Sequence, residues 1–352
     1  MAESIIHRSE GSIRLQPLRI GSEANLHGEG KLSLEGRALS SREERDQYTY
    51  NPTVGVTAGI YWGGGILPWG MPVDQRLDEA YSLSYTTPPL EEDLEVTGDP
   101  KIVLYISSTA DTAYFHVKLT DVGPDGTSKW VTDGGLLASH RNSHAQPEAL
   151  NPGQVYELKI DLKYVAYLFR AGHRIRVDIA SADFQNAWPT AKAAVNTVYR
   201  GSKHPSRMIL PIVPCKNLQL PSPNLRYSPR PRPTPEEIPN AEHHITYDLV
   251  TQMVTVSLAK NSITKSHDGR TESHRRSSSI YSVSQTNPAD TVLKATHEYT
   301  MLRPEGEIKI EANEVVTSDV EMFDYQTQVQ ITVDSKPHFQ KTWSTSVLRK
   351  FN

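Results

Sequence analysis

From Tyr81 to about Val213 the chain reads as a run of short strands separated by turns, and this rhythm constrains the fold more than any other feature. YSLSYTT, KIVLYISS, AYFHVKLTDV, SKWVTDGGLLA, VYELKIDL, HRIRVDIASAD, NTVYR and RMILPIV are rich in β-branched or aromatic residues, and helical spacing is almost absent. In FHVKLTDVGPDGTSKWV, Phe115, Val117 and Leu119 alternate with polar residues, Gly-Pro-Asp-Gly reverses the chain, and a second strand returns. That is an antiparallel hairpin. About eight such strands in about 130 residues predict an all-β fold, a two-sheet sandwich of jelly-roll, galactose-binding-like type.

The flanks divide the rest of the chain. Residues 1–45 are polar and without period, which predicts an extended lead-in, and the sandwich is assigned 46–220. PSPNLRYSPRPRPTPEEIP is too dense in proline for a central strand, so 221–240 is expected to be a semi-rigid linker. Beyond it, 241–352 predicts a second, smaller, sandwich-like β domain. There, Ile308, Ile310 and Ala312 of GEIKIEA fall on one strand face, with Lys309 and Glu311 on the other. KSHDGRTESHRRSSS reads as a solvated loop. Its Arg275-Arg276-Ser277-Ser278 run has the pattern of a basophilic kinase target, where added phosphate would pair with the arginines.

A chain of 352 residues has room for two domains. Its 37 basic and 41 acidic residues leave a net charge of -4, so no basic field recruits nucleic acid or an acidic membrane, and neither is expected as a partner. The single cysteine, Cys215, cannot form an internal disulfide or a multi-cysteine metal cluster, and favours a cytoplasmic address. No apolar run approaches the roughly 20 residues of a membrane helix, and MAESIIHRSEGSIRL has no signal-peptide core.

The chemistry of acyl transfer leaves little trace. An α/β-type serine nucleophile needs Gly-x-Ser-x-Gly; the nearest approach, Gly126-Thr127-Ser128, runs into Lys129-Trp130 inside a hairpin. His243 and His244 are adjacent and would point to opposite faces of a strand, while His140 and His144 lie in a loop-like stretch, so no metal and no other cofactor is expected. Gly63-Gly64-Gly65 is followed by no helix, which makes it a packing loop rather than a phosphate cradle. Trp62 and Trp69, in the same Gly/Pro-rich stretch, are candidates for contact with a ligand or another domain. In FRAGHRIRVDIASADF, Ile175, Val177 and Ile179 form a core face; Arg174, Arg176, Asp178 and, further on, Asp183 are polar candidates for an interface or ligand site. His173 reads as a hydrogen-bonded histidine at the strand's edge.

Taken in order, DQRLDEAYSLSYTTPPLEEDLEVTGDPKIVLYISS, HVKLTDVGPDGTSKWVTDGGLLA, NPGQVYELKIDL and FRAGHRIRVDIASADF resemble the C-terminal β domain of cocaine esterase-like (CocE/NonD) and X-prolyl dipeptidyl-peptidase-type serine hydrolases. The resemblance covers roughly Asp46 to Val213; His243 to Phe351 is similar to the extra terminal β region of longer members. It implies a jelly roll that packs on an α/β-hydrolase domain and helps wall its substrate cleft. That domain would supply serine, aspartate and histidine; His7 lacks the glycine-rich context of the family's histidine, so no catalytic role is carried onto it. Gln185 stands where proline is common in the family, and Ala138 where arginine is frequent. The implied function is that of a non-catalytic β portion whose partner is an α/β-hydrolase domain or subunit. Two other readings stand beside it: a stand-alone module binding a small molecule or carbohydrate, and an enzyme of another class using the cleft between the two β units.

Overall fold

The computed structural model describes residues 16–20, 30–33, 44–57, 74–201, 203–213, 240–266 and 268–351. Trp62, Trp69, Gly63 to Gly65, His7, Cys215 and almost all of the proline-rich linker lie outside these residues.

The first unit contains β1 (Gln16–Ile20), β2 (Gly30–Ser33), β3 (Glu44–Thr49), the single-turn helix α1 (Arg76–Glu79), β4 (Leu83–Thr86), β5 (Leu94–Gly98), β6 (Lys101–Ser108) and β7 (Tyr114–Val122). It continues through β8 (Ser128–Leu137), β9 (Tyr156–Asp161), β10 (Val165–Phe169), β11 (Arg174–Ala180), β12 (Val195–Arg200), β13 (Arg207–Leu210) and β14 (Ile212–Val213). One layer runs β3-β12-β6-β13-β1 with β9 also on β6; the other runs β4-β11-β7-β8, and β2 joins the two by pairing with both β1 and β4. A small sheet, β10-β5-β14, lies apart from that path. Period-two alternation directs Leu104 and Ile106, Phe115, Val117 and Leu119, and Ile175, Val177 and Ile179 into one core shared by both layers.

The expected lead-in is part of this sandwich. β1 and β2 lie before residue 45, Leu32 is 1% exposed, and Asp46 on β3 is buried, accepting hydrogen bonds from Tyr85 Oη and Arg200 Nε at 2.7 Å. QPLRI and GKLS are too short to show an alternation, so pairing rather than local pattern makes them strands.

The second unit is a seven-stranded antiparallel meander in sequence order: β15 (Asn240–Asp248), β16 (Met253–Lys265), β17 (Glu272–Ser284), β18 (Thr291–Arg303), β19 (Gly306–Ser318), β20 (Met322–Val333) and β21 (Lys336–Leu348). It is one sheet, where two were expected. The expected loop KSHDGRTESHRRSSS shrinks to a turn before Glu272, and Ser278 sits inside β17 between Ala259 and Thr296. Its serines and arginines gave no apolar alternation because that end of the sheet is covered on neither face; register with β16 and β18 fixes the strand.

Among the described residues, one end of the meander meets the sandwich. Val254, Val256, Leu258 and Val283 pack with Val56 and Phe184, and the Phe184 and Tyr281 rings meet edge to face at 6.5 Å. Trp188 Nε1 donates to Ser318 Oγ at 2.9 Å, and buried Arg349 donates to the carbonyls of Pro189 and Asp319 while lying over the Phe323 ring. The carbonyl of Phe351 accepts from Thr112 and Ser139, clasping the end of the chain to the sandwich.

Candidate functional site

The candidates on β11 lie in a buried polar layer. The strand's other side, carrying Arg176 and Asp178, continues into the polar sides of β4 and β7: Ser84, Asp178 and Lys118 lie in one cross-strand row, and Thr86, Arg176 and Thr120 in the next. Sequence alternation marks these residues as facing away from the core, which suggests solvent. In fact Lys118, Thr120, Arg176 and Asp178 are all buried, because α1 and its approach fold over them. Gln75 N donates to Ser128 O at 2.8 Å, and Lys118 Nζ donates to Gln75 Oε1 at 3.1 Å. Glu79, the last residue of α1, accepts from Arg176 at 2.5 Å and also from Ser128 and Thr120. A buried guanidinium without its carboxylate would cost several kcal/mol, roughly 3 to 5 by comparison with broken buried pairs, so the Arg176–Glu79 pair fastens α1 to the sheet.

Asp178 is the unusual member. It is 1% exposed; Ser84 Oγ donates to its Oδ1 at 2.5 Å, and its Oδ2 has no hydrogen-bond partner among the described residues. Burial first, then the Glu79 charge, push it up to about 7, against the opposing pull of Lys118, the Ser84 bond and Arg176. Arg174 is exposed and donates to Thr87 O at 3.1 Å. With Arg76 and Arg176 it lines a groove of about 560 Å³ beside the Gly123–Gly126 turn. A second cleft, of about 600 Å³, is bordered by Tyr48, Asn51, Glu79, Tyr81, Ser84 and Arg176.

Asp183 belongs to a neighbouring cluster. His116 Nε2 lies 3.3 Å from Asp133 Oδ2 and 3.5 Å from Asp183 Oδ2, and all three residues are buried. Burial raises Asp183; at Asp133 burial is outweighed by His116 and Lys163, which together hold its carboxyl below the usual range. The three donor groups are close enough to hold a metal ion. Lys163 Nζ, however, bonds both oxygens of Asp133 at 2.8 and 3.0 Å, and Asn186 Nδ2 bonds Asp183 Oδ1 at 3.1 Å. An ammonium already seated on one carboxylate opposes a second cation there, so the donors fit an ion-pair network better than a metal centre.

His173 keeps the expected role, with Nδ1 2.9 Å from Asp121 Oδ1. Gln185 holds φ +82°, a conformation closed to the proline anticipated at that position. Ser128 is fully buried; its hydroxyl donates to Glu79 and lies 2.9 Å from Thr120 Oγ1, so its proton is held by a carboxylate and not an imidazole. The structure therefore brings Arg176 and Asp178 together, places Asp183 in the adjoining His116 cluster and leaves Arg174 at the surface. Sequence reading missed Gln75, Glu79 and Lys118. The available signal was charge in alternate positions on two strands that each have neighbours on both sides, together with an acid-bearing segment, DQRLDE, at the sandwich's start.

A family model described as the X-Pro dipeptidyl-peptidase C-terminal non-catalytic domain matches residues 12–212. The chain belongs to this family. The match begins ahead of β1 and ends in β14, so it takes in the buried polar layer and stops short of the meander. Cocaine esterase from Rhodococcus sp. is 33% identical over 205 residues, 53% of this chain and 35% of the relative. A Mycobacterium bovis relative is 34% identical over 188 residues, 48% of this chain and 30% of the relative. The chain thus spans about a third of the length of these relatives. The crystal structure of an aminopeptidase from a marine sediment Thaumarchaeota archaeon is similar over 56% of this chain and 36% of its own, with TM-score 0.49 and 24% identity. No helix among the described residues is long and apolar enough to cross a membrane.

Proposed function

We propose that this chain serves as the accessory β portion of an ester- or peptide-hydrolysing serine hydrolase, with nucleophile, base and oxyanion donors supplied by an α/β-hydrolase portion outside it. The observation that carries this reading is the match of residues 12–212 to a domain described as non-catalytic. The buried layer supports it: Ser128 is tied to Glu79, and the Arg176–Glu79 pair holds α1 in place, which is the work of a scaffold. We read the sandwich as a jelly roll and the compartment as cytoplasmic, the latter from the lone cysteine. The purified chain is expected to hydrolyse neither p-nitrophenyl butyrate nor Ala-Pro-p-nitroanilide above the buffer rate. Turnover that co-purifies with the chain and is abolished by a serine-directed fluorophosphonate would refute the proposal.

A further inference from the structure

The sandwich covers one face of the meander at its inner end, and on β18 to β21 the same face carries a second apolar patch, set off from the covered part by the row of Glu314, Thr327 and Trp343. The meander's register places Val254, Val256, Tyr281, Val283 and Phe323 on one face, and these meet the sandwich. The same face continues outward through Tyr299, Met301, Ile308, Ile310 and Ile331 to the edge strand β21, where Trp343 is 43% exposed. None of these outer residues is buried. The opposite face carries Lys309, Glu311, Gln328 and Gln330 at the same level. A sheet with one side apolar and the other polar has the pattern of half a sandwich.

We infer that the outer half of this face is a homodimer interface, closed by the same face of a second copy. Sheet-on-sheet packing, with aligned strands about 10 Å apart, is the usual way for two such surfaces to exclude water, and a twofold pair lets one surface serve as its own complement. The extent is adequate. Four strands at about 4.8 Å and seven residues at about 3.3 Å give roughly 440 Å² in plan per copy. Two copies give roughly 900 Å², and the relief of standing side chains carries the accessible area past the ~1,000 Å² of a specific interface. The cations suit a rim: Arg275 lies over the Tyr299 ring at 5.4 Å and Lys341 over the Trp343 ring at 4.9 Å, stems covering the aromatics while the charged heads reach water. The sandwich is already engaged by the inner half of the face, so no other described part of the chain is placed to cover the outer half.

Light scattering coupled to size exclusion, with sedimentation equilibrium over roughly 1 to 100 µM, tests the inference on the intact chain. The expected mass is twice 39.3 kDa. Ile310→Lys should give a monomer with an unchanged far-ultraviolet spectrum, while Gln328→Lys, on the polar face, should leave the dimer intact. Should Ile310→Lys misfold, Trp343→Ser on the exposed edge strand removes interface area without touching a buried core, and should weaken the dimer about tenfold or more. A wild-type chain that stays at 39.3 kDa throughout means another occupant for this face and overturns the inference. So does a folded Ile310→Lys dimer, or dissociation by Gln328→Lys.

Discussion

Replacing Asp178 by asparagine should make the protein's stability less dependent on pH, and the buried layer sets both the sign and the size of the change. The carboxyl is enclosed by Ser84 on β4, Lys118 on β7, Arg176 on its own strand and Glu79 on α1. Its folded-state value lies at about 7 against an ordinary 3.8, so between those limits the folded state binds a proton that the unfolded state has released. Stability from this group is therefore complete at the acid end of the window and declines as pH rises towards 7. About three pH units at roughly 1.36 kcal/mol each give a ceiling of roughly 4 kcal/mol. Glu79 shares the field and water penetration relaxes it, so we expect about 1 to 2 kcal/mol. Urea unfolding of wild type and Asp178→Asn at pH 4.5 and pH 8 reads the difference. The gap between the two proteins should shift in the variant's favour by about 1 to 2 kcal/mol from acid to alkaline pH, equivalent to a few degrees in Tm. An unchanged gap, or one that moves in favour of wild type at pH 8, would show that Asp178 is ionised and well paired, and that its isolation in the layer has been misread.

The junction between the two units offers two further tests. Phe184→Ala removes a ring that is 2% exposed and stands edge to face with Tyr281; a loss of about 3 kcal/mol is expected, with faster hydrogen exchange in the inner ends of β16 and β17 while the sandwich core keeps its protection. Exchange that quickens equally in β6 and β7 would refute a local effect. At Gly55, φ is +108° and an added Cβ would stand 2.4 Å from the backbone nitrogen of Phe184, so Gly55→Ala should cost about 2 kcal/mol or more, measured by chemical denaturation. A neutral Gly55→Ala would mean that this crossing of backbones is looser than the Phe184 N to Val54 O bond of 2.7 Å indicates.

The sandwich was legible where apolar alternation and turns coincide. The Phe115–Leu119 hairpin and the Ile175–Ile179 strand point their apolar residues where period two puts them. Illegible were the strands that pairing alone creates: β1 and β2, too short to show a period, and the outer half of β17, whose serines and arginines show no apolar side. The candidate site was half legible. Arg176 and Asp178 stood out as charges on a strand, but the same alternation assigns them to solvent, and only tertiary structure brings α1 across them. Burial of the side facing away from the core depends on a segment about a hundred residues earlier in the chain, and no local pattern carries that information.

The meander shows the complementary limit. Ile308, Ile310 and Ala312 do share one face, as alternation in GEIKIEA requires. Alternation fixes which side is apolar but not what stands opposite it. For the inner half of the sheet the answer lies within the chain, since Val56, Phe184 and Trp188 come from the sandwich. For the outer half, no described residue of the chain supplies it. An apolar patch of Tyr299, Met301, Ile308, Ile310 and Ile331 beyond the polar row of Glu314 and Thr327 is hard to explain as a demand of the monomer's fold, because polar residues there would leave every β-ladder hydrogen bond in place. Its presence is the physical reason for assigning that surface to a second molecule.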